Sequence, residues 1–218
     1  MNIVTLLVRR IGACLALCAM AAPLSVSASG NRAITFMQKG GWADVSWYQN
    51  DGSCLYLVGS VSSFENTSRM PGYVNPYALS YVSVEMYDLC TQTYTSYYAV
   101  DSTELMLGAS GARHARVSGV VPASSCVTAP NRPIECRIAA LSVDLRWNAY
   151  EAPTHETNAE HNYETGIGMY SYRFTGSYAR AEVSGQVLDG GIPLFLLPVR
   201  SGQLRDSQTN SVTINSNH

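Results

Sequence analysis

Around residues 42–49 the chain alternates, with Val45 and Trp47 on one side and Asp44, Ser46 and Tyr48 on the other. A period of two marks a strand with one buried face. Asn50-Asp51-Gly52 follows. Asn and Gly accept the positive φ of a tight hairpin turn, so residues 53–61 are expected to return as a second strand. Residues 62–76, SSFENTSRMPGYVNP, are dense in turn formers and predict a long loop. The longest strand candidate is 77–90. There Val82, Val84 and Met86 share one face, and Tyr81, Ser83, Glu85 and Tyr87 share the other.

Further strands are expected at 92–100, 112–121, 137–147, 167–174 and 179–188. In the third of these, Leu141, Val143, Leu145 and Trp147 alternate with Ser142, Asp144 and Arg146. Residues 103–109 fit either one helical turn or a strand, and no long window carries a helical stripe. Pro193 and Pro198 limit the apolar segment between them to an edge strand or packed extended chain. Residues 201–218 are polar and predict a frayed tail. The pattern predicts an all-β fold, an antiparallel two-sheet sandwich of about nine to eleven strands, with a closed β-barrel as the alternative. Trp47 and Trp147 are expected in its core.

Two echoes suggest internal duplication: ARVSGVV at 115–121 against AEVSGQV at 181–187, and DVSW at 44–47 against VDLRW at 143–147. True repeats would form two similar sheets packed face to face. Gly119 and Gly185 would then mark a bulge or a close backbone approach.

The start of the chain has a different pattern. Arg9 and Arg10 precede an apolar run over 11–22 that is too short to span a bilayer, and Val26-Ser27-Ala28 is a small-residue cleavage site. Residues 1–28 are therefore expected to be a signal peptide. A single β domain then covers 29–200 and the polar tail 201–218, and the mature chain is secreted or periplasmic with no membrane span. The formal net charge is −2, and loss of the two arginines makes it more negative. Lys39 is the one lysine, and the arginines are scattered. Nucleic acid demands a concentrated basic stripe, so no nucleic-acid partner is expected.

Cys14 and Cys18 fall in the signal, leaving Cys54, Cys90, Cys126 and Cys136. An even number in an exported chain predicts two disulfides, with three pairings open. CVTAPNRPIEC carries loop chemistry between its ends and favours Cys126–Cys136; Cys54–Cys90, across two predicted strands, is then what is left. No C-x-x-C pair is present to begin a zinc site.

Val45-x-Trp47, YDLCT at 87–91, VDLRW at 143–147 and AEVSGQV at 181–187, in this order, resemble a group of exported bacterial proteins of uncharacterised activity. The resemblance covers roughly two thirds of the mature chain and rests on strand patterns. It implies export, one β domain and a shared Cys54–Cys90 cross-link. It implies no catalytic residue, and Cys126 and Cys136 are not part of it.

Candidate chemistry is sparse. THETNAEHNYE, 154–164, concentrates His155, Glu156, Glu160, His161 and Glu164 in an expected loop of about eighteen residues, a length often associated with function. Imidazole and carboxylate suit zinc and similar ions, so His155, Glu160 and His161 are the candidate metal set, with Glu164 or His114 as further ligands. The H-E-x-x-H form is absent. So are G-x-S-x-G and the phosphate loop G-x-x-x-x-G-K. Tyrosine is in excess, fourteen against four Phe and three Trp. A side chain with an apolar face and a polar end suits a binding surface, and Tyr81, Tyr87 and Tyr172 are the candidate ligand contacts.

Three functions follow as expectations. The first is a non-enzymatic domain binding a ligand, a glycan or a partner surface, with no cofactor. The second is a metal-dependent or acid–base hydrolase at the His155–His161 segment, with a divalent metal as its cofactor. The third is a structural component of a surface assembly.

Overall fold

Alternation becomes strand almost everywhere in the computed structural model, which describes residues 33–50, 52, 54–101, 106–164, 168–195 and 198–214. The expected signal peptide lies outside these residues. Eleven strands form among the described residues: β1 (Ala33–Asn50), β2 (Leu55–Met70), β3 (Tyr73–Asp88), β4 (Thr93–Asp101), β5 (Met106–Ser110), β6 (His114–Thr128), β7 (Glu135–Ala149), β8 (Thr154–Glu164), β9 (Gly168–Asp189), β10 (Ile192–Pro193) and β11 (Val199–Ile214). The expected all-β antiparallel architecture stands.

The strands pair in the order β1, β2, β3, β4, β6, β7, β9, β11, and β11 pairs back onto β1. Eight strands thus hydrogen-bond in a ring, and the two expected layers are parts of one continuous sheet. β5 adds to β6, while β8 and β10 add to β9.

The ring is filled. Val45, Val61, Val82, Val84, Val117, Leu141, Leu145, Val183 and Leu204 are buried inside it. Trp47 and Trp147 are 4% and 0% exposed, as their alternation predicts. The Trp147 indole N–H donates to the Asp44 carbonyl at 2.8 Å, and Trp47 meets Phe195 edge-on at 4.6 Å. The buried Asp189 carboxylate accepts from Tyr97 at 3.0 Å and is paired with Arg137. Alternate side chains of the ring strands point inward, while Tyr48, Val58, Tyr98, Val120 and Ile138 are exposed on its outside.

Both expected disulfides are present, Cys54–Cys90 across the open end of the β2–β3 hairpin and Cys126–Cys136 between facing positions of β6 and β7. Cysteine pairing of this kind is compatible with an oxidising compartment.

Four expectations are corrected. Residues 62–76 are not a loop. They form the far half of the β2–β3 hairpin, turning at Pro71-Gly72 with Gly72 at φ 77°. β1 supplies the ladder on one side of β2, and Pro76 lies beyond the last described β3–β4 pair, Ser80 with Asp101.

Of the expected frayed tail, 201–218, residues 201–214 instead belong to β11, held between β1 and β9, and 215–218 lie outside the described residues. Residues 154–164 are strand β8 rather than loop.

The sequence echoes do not mark two facing sheets. Residues 115–121 of β6 and 181–187 of β9 flank the same strand, β7. Gly185 does mark a close approach: a Cβ there would stand 1.9 Å from the Asp144 carbonyl oxygen, and its φ is 120°.

Below the ring the sheet continues as an extension built from β8, the first half of β9, the far half of β11, the start of β1 and the β2–β3 turn end. Its inner face, continuous with Ala43, Val45 and Trp47, carries exposed Lys39, Glu65 and Arg173. Charge there keeps the inner face in water.

Candidate functional site

Among the described residues the outer surface carries one aromatic group on β1–β4, with Tyr48, Tyr56, Tyr87 and Tyr94, and a larger one on the outer face of the extension. The β1–β2, β1–β11 and β9–β11 registers put Phe36, Trp42, Phe64, Tyr77, Tyr170, Tyr172, Phe174 and Tyr178 on that one face. All are half-buried except Tyr77, which is exposed. Phe64 and Tyr77 lie 5.4 Å apart, and Tyr170 and Tyr172 stack at 6.5 Å. Between them stand Gln38, Asn66, Ser207, Thr209 and Ser211.

A hollow of about 230 Å³ opens at the upper edge of this face, lined by Trp42, Asp44, Tyr178, Gln203, Leu204 and Arg205. Trp42, Arg205 and Tyr178 are directly opposite one another on β1, β11 and β9, and Asp44 faces Gln203 one row above. The Trp42 indole N–H donates to Ser62 Oγ at 2.8 Å, which fixes the ring. Gln203 and Arg205 are exposed. Burial pushes the Asp44 carboxyl up to about 6, and its Oδ1 is buried without a hydrogen-bond partner. Taking a carboxylate out of water disfavours the charged form when no cation or donor compensates.

The metal candidates do not converge. His155 and His161 are six positions apart on β8 and share its inner face; Glu160 is on the outer face, opposite Tyr172. Six strand residues span about 20 Å, far beyond one coordination sphere. His155 Nδ1 instead meets Ser177 Oγ at 2.8 Å. Among the described residues three metal-type ligand atoms gather only at Cys54, Asp88 and Cys90, where both sulfurs are in a disulfide.

The tyrosine candidates share the outer surface without forming one patch. Tyr81 and Tyr87 are on β3, and Tyr172 is on β9, with β11, β1 and β2 between. Tyr87 lies 4.7 Å from Tyr94 and donates to Glu85 at 3.1 Å; burial and then that carboxylate push its hydroxyl up to about 12. Burial, followed by neighbouring Tyr77 and Tyr98, raises Tyr81. Burial also raises Tyr170, with Tyr172 and Glu160 adding to it.

Trp42, Asp44, Gln203 and Arg205 were not among the expected contacts. Trp42 carried a signal: it is out of phase with Val45 and Trp47, so it turns outward. Gln203 and Arg205 carried none, because their segment has no apolar alternation.

No family model and no curated protein matches the sequence. Among solved structures, an acetoacetate decarboxylase-like enzyme from Sphingomonas wittichii RW1 is similar at 8% identity and a TM-score of 0.23, over 90% of this chain and 99% of that one. A likeness at that level carries no argument about what this chain does.

Proposed function

We propose that the protein is an exported, non-enzymatic domain that binds a glycan through the outer face of its extension. The observation that carries this reading is the gathering of eight aromatic side chains on one face, interleaved with amides and hydroxyls. Aromatic rings cover the apolar face of a sugar ring, and short polar side chains meet its hydroxyls. Binding is favoured over hydrolysis because the hollow in this face is lined by one carboxyl group, Asp44, whereas glycoside cleavage uses a pair.

Retention on cellulose, chitin and peptidoglycan tests the reading. The mature wild-type protein is expected to be retained on at least one matrix, and the Tyr77→Ala/Tyr172→Ala/Tyr178→Ala variant to pass through. Passage of the wild type through all three, or equal retention of the variant, overturns it.

A further inference from the structure

We propose that the hollow between Trp42, Tyr178, Gln203 and Arg205 holds a single pyranose unit of a neutral glycan, which deepens the function proposed above and rests on it. The ladder supplies the dimensions. Trp42 and Tyr178 are two strand steps apart, about 10 Å, with Arg205 on the strand between; the Asp44–Gln203 row is two residues away, about 7 Å. The hollow bounded by these rows, about 230 Å³, has room for one six-membered ring, with Trp42, Tyr178 and Arg205 among its walls.

The walls suit a polyol. Gln203 offers both a donor and an acceptor, and the Arg205 guanidinium is a planar fork of donors; each can meet two neighbouring hydroxyls at once. Arg205 has no ion pair among the described residues, so its guanidinium is not drawn away from the hollow. The platform is set in advance, because Ser62 anchors the Trp42 indole. A side chain already held in its working orientation loses little entropy when the ligand arrives.

Trp42 also reports on the site. The protein has three tryptophans, and the other two are buried in the core. Titration of the mature protein with cellopentaose, chitopentaose, maltopentaose and mannopentaose, followed by tryptophan emission, is expected to give a saturable change with at least one of them. Tyr178→Ala and Arg205→Ala are each expected to weaken that binding tenfold or more, and Gln203→Ala severalfold, with melting temperatures near that of the wild type.

Absence of a response to all four sugars overturns the proposal. So does binding that these variants leave unchanged. In the second case wild-type retention on polysaccharide persists, so the glycan reading survives while the hollow is discarded; loss of retention as well removes both.

Discussion

Asp44 stands at the hollow with a carboxyl that burial holds at about 6. The folded state therefore binds its proton more tightly than the unfolded chain does. Between about pH 4 and about pH 6 the folded form carries the extra proton, so this group's contribution to stability is full at low pH and is lost as pH rises through 6. Asp44→Asn is expected to remove that slope and to raise stability at about pH 8 by about 2 kcal/mol. Urea melts of both proteins at the two ends of the range check this; equal slopes contradict it.

Gly185→Ala should cost about 2–4 kcal/mol, because a methyl there meets the Asp144 carbonyl and the backbone sits at positive φ. A loss under about 0.5 kcal/mol in the same melts would contradict the close approach. Much at this scale was legible. Alternation alone turns Trp47 and Trp147 inward, and the echo around Gly185 marked a tight contact. The hollow was not legible, since it exists only where β11 lies between β1 and β9.

β11 is the element where pattern reading failed most. Ser207, Gln208, Thr209, Asn210 and Ser211 show no apolar period, because both faces of the extension reach water and neither selects for Leu or Val. Strand formation there comes from the ladders to β1 and β9, a tertiary cause absent from local sequence. β8 misled for the same reason: its histidines and glutamates look like loop chemistry but alternate across an exposed edge. Charges on an edge strand also discourage pairing with other chains. A frayed tail could be removed without harm, but β11 cannot. Truncation after residue 204 is expected to abolish the cooperative thermal transition seen by circular dichroism, and retention of a wild-type melt would contradict β11 as part of the ring.

Across the whole molecule, eight strands close a ring over a filled apolar core, and two cross-links tie neighbouring strands. In the chain-entropy account, the Cys54–Cys90 and Cys126–Cys136 loops contribute about 4 and about 3 kcal/mol. Reduction is therefore expected to lower the unfolding free energy by several kcal/mol, and the urea midpoint with it, while the buried tryptophans keep the folded emission at low urea. Identical midpoints with and without reductant would contradict this.

The interior is packed, and eight aromatic side chains lie on the outer face of the extension. The three indole N–H signals of the protein in a nitrogen–proton correlation spectrum test that account most directly. On adding an oligosaccharide that changes the emission, the Trp42 signal is predicted to move while Trp47 and Trp147 stay in place. A shift of the core indoles with Trp42 unmoved would contradict it.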